Sequence, residues 1–431
     1  MNKYIQFAKT YTNAFRWLIK ERSIKEQVAM IRTCGGSSFM QYLNDYPRIK
    51  HNYLTVLSRL KEEYKKRKLR VCFLVSEPAK WNMQPLYDEL LKSEEFFPFI
   101  VVTNVKNLHN RLSYKHILEF FYSVAKNVEV GWDETSKEGV ELKQFSPDIV
   151  FYQQPWYLYF NQDIPVVSEF ALPFYVSYAM EDPYIVAKSH LLDFYSLVFK
   201  YYCFNETYIR YFSSACPFKI NNLVSIDGHP KLDVYADYRS KDYTHRSVIY
   251  APHHSLTQSS LRYGTFFWSG QFLLNWAKLH PEIDWVFKPH PRFKLSLAEV
   301  GMDQKDIDAY FSEWSKIGVV YEDGNYFDIF KNSKCMITDC GAFLAEFLPT
   351  EMPIIHMLNK NAGEYAPLNV EIMKSLYKVY NVDELARTLE DVVLNQNDPL
   401  NNERIAMMEK VGIRGFHASK NIIDDMKKLL S

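Results

Sequence analysis

Short apolar runs rich in Val, Ile and Phe recur along this chain, each followed by a stretch with helical spacing, and this alternation restricts the fold more than any other feature. A strand that reads apolar on both faces needs both faces covered, which is the condition of a parallel sheet flanked by helices. Residues 71–75, 99–102, 149–152 and 165–167 form a first round of predicted strands, with helices over 84–91 and 114–124. A second round begins at Arg246, with strands over 248–251, 285–288, 335–338 and 353–355, and its clearest helix over 268–279. The two rounds, each of about 150 residues, predict an α/β chain of two Rossmann-like domains with parallel sheets facing a central cleft.

The 431 residues are 47% hydrophobic, which excludes a tail, a fibre or a disordered scaffold, and a chain this long divides into two cores instead of growing one. Lys+Arg and Asp+Glu number 51 each, so the surplus of positive charge that coats a nucleic-acid binder is missing. The balance is uneven: residues 1–70 carry 16 basic and 5 acidic side chains, and the rest carry 35 and 46. The early segment reads as helical, with Tyr4, Phe7, Tyr11, Phe15 and Leu18 three or four residues apart, and it closes on a basic run over 65–70. That run is either a solvated helix face at a domain boundary or a surface for an anionic membrane leaflet, where each Lys or Arg contributes about 1 kcal/mol. Six cysteines without dense, even spacing point to a reduced compartment. The start lacks a signal peptide's apolar core, and no stretch approaches a bilayer-spanning length, so a cytoplasmic protein is expected, with the basic segment available to rest on a membrane.

Open parallel sheets bind ligands beyond the carboxyl ends of their strands, so the residues after each predicted strand are the functional candidates. After the strand at 248–251 come His253, His254 and Ser255, suited to a phosphate or an acceptor hydroxyl. Adjacent histidines seldom point the same way and no further ligand follows at close spacing, so no metal is expected. Lys288, His290 and Arg292 follow the next strand, held extended by Pro289 and Pro291. They would face a leaving diphosphate whose charge grows as its bond breaks, with His290 able to donate a proton. Then come Thr338, Asp339, Cys340, Gly341 and Ala342 at a predicted helix start, where unpaired N–H groups meet an anion and Asp339 caps them or orients a donor, and Glu346 a turn later within reach of a ribose hydroxyl. Between the two rounds, the turn 227–233 offers His229 and Lys231 for substrate contact, or serves as a hinge. In the first round, Glu77 is a candidate base and Trp81 a stacking face, or else a core residue.

The segments Tyr250-Ala251-Pro252, Lys288-Pro289-His290-Pro291 and Ile337-Thr338-Asp339, with Asp227 to Asp233 upstream, together resemble the catalytic region of the CDP-glycerol glycerophosphotransferases, teichoic-acid-type polymerases and primases of GT-B-like architecture. The resemblance covers roughly residues 222–356. It implies a transferase moving a glycerophosphate or related polyol-phosphate from a CDP-linked donor, the donor expected first, to a hydroxyl of an envelope glycan or lipid-linked acceptor at the cytoplasmic membrane face. It implies no cofactor beyond that nucleotide-activated donor, and His290 and Asp339 stand at positions of its motifs. The family's histidine-bearing segment at the end of its first domain has no counterpart here. The nearest region, 169–174, begins with Glu169, which leaves Glu169, Glu77 or His253 to act as base. The domain layout on this reading is a basic segment 1–70, an acceptor domain 71–220, a linker 221–245, a nucleotide-donor domain 246–400 and terminal helices 401–431. An alternative is a GT-B glycosyltransferase using a CMP-, UDP- or GDP-sugar in capsule or lipopolysaccharide synthesis. A third is a non-catalytic carbohydrate-binding or scaffold protein. Oligomeric state, acceptor and chain length of the product are not written in the sequence.

Overall fold

The computed structural model describes residues 36–105, 113–156, 158–178, 180, 192–215, 221–240, 244, 246–257, 261–322, 325–413 and 415–431. The expected helical spacing from Tyr4 to Leu18 lies outside them. The chain forms two compact units, Met1–Asp233 with Gly415–Ser431, and Val234–Arg414.

In the first unit, the strands are β1 (Leu69–Val75), β2 (Phe96–Val102), β3 (Val128–Val130), β4 (Trp132–Asp133), β5 (Glu138–Gly139), β6 (Ile149–Tyr152), β7 (Leu172–Val176), β8 (Lys200–Cys203) and β9 (Leu223–Ser225). β4 and β5 pair as a small antiparallel hairpin. The other seven make a sheet in the order β3-β2-β1-β6-β7-β8-β9, parallel throughout. Its middle strands are buried on both faces, as their unbroken apolar sequences require: Phe73, Phe151 and Phe174 are fully buried and their rings meet at 5.2–5.3 Å. Each such side chain contributes about 1.5–3 kcal/mol.

The second unit repeats the plan with β10 (Ser247–Ala251), β11 (Asp284–Phe287), β12 (Val319–Val320), β13 (Ser333–Thr338), β14 (Ile354–Met357) and β15 (Tyr377–Val379) in the order β12-β11-β10-β13-β14-β15, again parallel. Tyr250, Phe287 and Trp285 pack with Trp314 of the helix Gln304–Ile317 at the centre of its core, Phe287 stacked on Trp314 at 5.0 Å. Two Rossmann-like parallel sheets covered by helices are thus the architecture read from the alternation.

One predicted strand is corrected. Residues 165–167 lie in the short helix Ile164–Val167, because Asp163 caps it by accepting the Ile164 N–H at 2.7 Å and Pro165 fits a first turn. The strand comes later, at β7, and carries Pro173 in its interior. Part of the basic run before β1 is spent on the protein itself. Arg67 pairs with buried Asp148 at 2.7 and 2.8 Å and with Glu63, and the Arg70 N–H donates to the same aspartate at 2.8 Å.

The last helix, Ala418–Leu430, belongs to the first unit. Asp233 accepts the N–H groups of Ala418 (2.9 Å) and Ser419 (2.7 Å) at its start, Tyr202 Oη donates to Asp425 at 2.8 Å, Lys200 pairs with Asp425, and Lys427 reaches Glu95 at 2.7 Å. Among the described residues no helix is long and apolar enough to cross a membrane.

Candidate functional site

In the second sheet the order turns at β10: the chain runs outward to β11 and β12 on one side and to β13, β14 and β15 on the other. The loops leaving β10 and β13 part in opposite directions, and the crevice between them is where sheets of this type bind ligands. The segments bearing His253, His290 and Asp339 all leave strands at this edge.

Asp339 organises the loops. Fully buried, it accepts the His253 N–H at 2.6 Å through Oδ1, and the Thr265 N–H (2.6 Å) and hydroxyl (2.8 Å) through Oδ2. Burial pushes its carboxyl up to about 6 against the pull of these bonds. It therefore does not cap the helix Gly341–Phe347, whose N-cap residue Cys340 makes no side-chain cap bond. Gly264 lets the loop close, because a Cβ there would meet Leu256 at 2.7 Å and the Ser255 carbonyl at 3.1 Å.

Three rings stand above this clamp. His254 stacks on His290 at 4.0 Å, and His253 lies 4.4 Å from His254 and 5.3 Å from His290. Their ring nitrogens approach within 4.8 Å of one another, a spacing open to a metal ion. Hydrogen bonding argues for an anion instead. His253 Nδ1 accepts the Ser255 N–H at 3.1 Å, and His290 Nδ1 accepts the Arg292 N–H at 3.0 Å. A neutral imidazole with one nitrogen accepting carries its proton on the other, so Nε2 of both rings is a donor and has no lone pair for a metal. Burial, and then the neighbouring His254, lower the pKa of His253 to about 3, so it holds that neutral form.

Several other residues expected at the nucleotide prove to be internal. Ser255 is fully buried, with its hydroxyl 2.7 Å from His253 Nδ1 and accepting the Tyr263 N–H at 3.0 Å. The Thr338 hydroxyl donates to the Ala251 carbonyl at 2.7 Å and accepts the Cys340 N–H at 3.0 Å. Cys340 and Gly341 are buried and Ala342 half-buried. Lys288 is 4% exposed, its ammonium held over the rings of Tyr326 (4.5 Å), Phe343 (5.2 Å) and Tyr321 (5.7 Å). Glu346 is buried and accepts the Tyr326 hydroxyl at 2.5 Å. Arg292 is half exposed, 3.5 Å from Glu299.

The candidates of the first unit scatter. Glu77 lies beyond the carboxyl end of β1, paired with Lys80 at 2.5 Å. Trp81 is a packing residue: its ring meets Phe73 and Phe121 edge-on at 5.6 and 5.7 Å, and its Nε1–H donates to Gln84 at 2.7 Å. His229 is buried, gives Nε2–H to the Ser177 carbonyl at 2.7 Å and takes the Lys231 N–H on Nδ1 at 3.1 Å, so it holds the turn, and Lys231 is half-buried beside it. Glu169 precedes β7 and thus stands at the amino end of that strand, bound to Arg48 at 2.8 Å, so it does not join the strand-end groups. A cavity of about 420 Å³ beside Arg67, Lys68, Arg70, Phe97 and Ser146 also opens by the start of β1, away from the strand-end residues.

Sequence reasoning missed Thr265, Gln153, Gln154, Trp156, Tyr178 and His356. His356 is fully buried on β14, and among the described residues neither ring nitrogen has a hydrogen-bond partner. The repeated His-Pro-basic spelling at 229–231 and 290–292 was a usable signal, since both form the same turn in which the N–H two residues on meets Nδ1.

No family model and no curated sequence matches the chain. Solved structures do. S. aureus MnaA in complex with UDP aligns with a TM-score of 0.55 at 12% identity, over 84% of this chain and 97% of that one. The UDP-GlcNAc 2-epimerase from Neisseria meningitidis bound to UDP-GlcNAc aligns with 0.55 at 14%, over 84% and 100%. A variant of the wall teichoic acid polymerase TagF aligns with 0.54 at 14%, over 91% and 98%. The likeness establishes a GT-B-like fold of two Rossmann-like domains. It also corrects the expectation of a CDP-linked donor: UDP-GlcNAc 2-epimerases dominate these neighbours.

Proposed function

We propose that the protein is a GT-B glycosyltransferase that binds the diphosphate of a UDP-sugar at the turning point of its second sheet and builds an envelope polysaccharide such as capsule or lipopolysaccharide. The observation that carries this reading is the pair of imidazoles, His253 and His290, whose Nδ1 atoms are both engaged by backbone N–H groups. Donors fixed before the substrate arrives need no reorganisation when charge develops, which is where an enzyme gains most. As the acceptor hydroxyl oxygen bonds to sugar C1 and the bond from C1 to the phosphate oxygen breaks, the electron pair moves onto the diphosphate, which the Nε2–H groups stabilise, and the hydroxyl proton passes to solvent or to the departing diphosphate. His290 is the donor we place on the leaving oxygen. Asp339 is a positioning residue, acting through the His253 backbone. His253 is unsuited to be a base, because its acceptor nitrogen is already occupied.

Support for a UDP-linked donor comes from the fold neighbours named above, which are described with UDP or UDP-GlcNAc. A thermal-shift series with UDP, CDP, CMP and GDP on the full chain tests it, followed by mass analysis of the product. The expected result is greatest stabilisation by UDP, weakened in His290→Ala, and a new glycosidic bond without transferred phosphorus. Stabilisation by no nucleotide would overturn the reading. An isomerised UDP-sugar formed without acceptor would identify an epimerase instead, the activity named for several of the neighbours.

A further inference from the structure

The first sheet has its own turning point, between β1 and β6. Glu77 and Lys80 follow β1, Gln153, Gln154 and Trp156 follow β6, and Tyr178 follows β7. These residues form one connected cluster. The Lys80 ammonium donates to Glu77 Oε1 at 2.5 Å and to Gln154 Oε1 at 2.9 Å, and sits 5.0 Å from the centre of the Trp156 ring and 5.7 Å from that of Tyr178. The two rings meet edge to face at 5.5 Å.

The cluster is fixed from beneath. The buried Gln153 side chain accepts the N–H groups of Ser76 (2.9 Å) and Glu77 (3.0 Å) and donates to the Glu77 carbonyl at 2.8 Å, which sets where the carboxylate starts. Gln154, 4% exposed, donates to the Trp156 carbonyl at 3.2 Å. Lys80 and Glu77 nevertheless keep 19% and 30% of their side chains open. Nearby Asn82 is 2% exposed and gives its amide to the Ser177 carbonyl at 2.7 Å. Among the described residues its Oδ1 has no donor, an arrangement that costs about 1–3 kcal/mol until a donor arrives.

We propose that this crevice is a carbohydrate subsite that takes a neutral pyranose. Lys80 and Glu77 cancel in charge, so a phosphate or carboxylate gains little there. A fixed donor beside a fixed acceptor matches adjacent sugar hydroxyls, each of which both donates and accepts, and the half-buried aromatic rings offer apolar surface to the C–H faces of the sugar. The inference rests on the sugar-processing reading above, with Trp156 and Tyr178 supplying the aromatic surface that Trp81 does not.

Saturation-transfer NMR on the full chain tests it, with methyl glucoside, methyl galactoside and N-acetylglucosamine as probes, each with and without UDP. At least one sugar is expected to show transfer, with binding about ten-fold weaker in Trp156→Ala and in Lys80→Ala, the scale of one lost aromatic or cation–π contact. His290→Ala is expected to keep the sugar signal while losing UDP. Melting curves identify any variant that has not folded, and Lys80→Ala, which removes a partly exposed side chain, keeps the test valid if Trp156→Ala is one. Wild-type protein that binds none of the sugars, or binding unchanged in folded Lys80→Ala, overturns the subsite. Wild-type protein that binds a sugar but shows no binding of UDP overturns only the assignment of the second unit.

Discussion

The two sheets turn at equivalent places, yet the side chains gathered there differ in kind. In the second unit a buried carboxylate, Asp339, faces inward and fixes loops, and the imidazoles of His253 and His290 beside it accept backbone N–H groups on Nδ1. In the first unit the carboxylate, Glu77, is partly open and paired with an ammonium between aromatic rings. Topology selects the location of a crevice in both cases. What it can bind is decided by whether the charged groups are spent on the backbone or on each other.

Changes in the second crevice should produce the largest effects. His290→Ala is expected to lower turnover by about 10²–10³, the cost of one preorganised donor, while denaturant unfolding shifts by less than about 1 kcal/mol; normal turnover in the purified variant would remove His290 from the chemistry. Trp81→Ala should instead lower stability by about 1–3 kcal/mol, as expected for a half-buried ring packed edge-on against Phe73 and Phe121, and no loss measured in urea would reopen Trp81 as a ligand surface. Asp339→Asn is expected to reduce both stability and turnover, and to alter the pH profile in a defined direction. Because the Asp339 carboxyl is raised to about 6 from 3.8, its contribution is complete below the lower value and is lost as pH rises through 6. His253 and His356 are lowered to about 3, and His229 to about 4, all by burial, so their contributions are complete above 6.5 and are lost as the pH falls. Three histidines outweigh one aspartate, so melting temperature should drop between pH 7 and 5, and more steeply in Asp339→Asn. Removing the buried imidazole with His356→Leu should raise stability at pH 5 by about 1 kcal/mol; a loss there would show that His356 has a partner. The smallest effect belongs to Glu169→Gln, which breaks an exposed ion pair worth about 0–1 kcal/mol and should leave turnover unchanged.

Features carried by adjacent residues were readable in advance. The alternation of apolar runs gave β1, β2 and β6 of the first sheet and β10, β11, β13 and β14 of the second, and Ala251-Pro252, Lys288-Pro289 and Thr338-Asp339 marked strand ends. What depends on neighbours distant in sequence was not readable. The inward turn of Asp339 needs Thr265, 74 residues away, and the cage around Lys288 needs Tyr326 and Phe343. Gln154 and Trp156 follow a strand with no charged residue beside them, and they gain meaning only because β6 lies next to β1. Pro165 opens the short helix Ile164–Val167 where a strand was expected, and Pro173 sits inside β7.

The closing helix, Ala418–Leu430, has a consequence for synthesis. Its buried face and the Asp233 cap tie residues made after the second unit to a sheet made before it. On the ribosome, the whole intervening unit leaves the exit tunnel before that helix does, so the first sheet waits for this layer until the second unit has been made. A chain released early, at about residue 414, would carry a finished insert and leave its older neighbour with apolar surface open to chaperones and proteases.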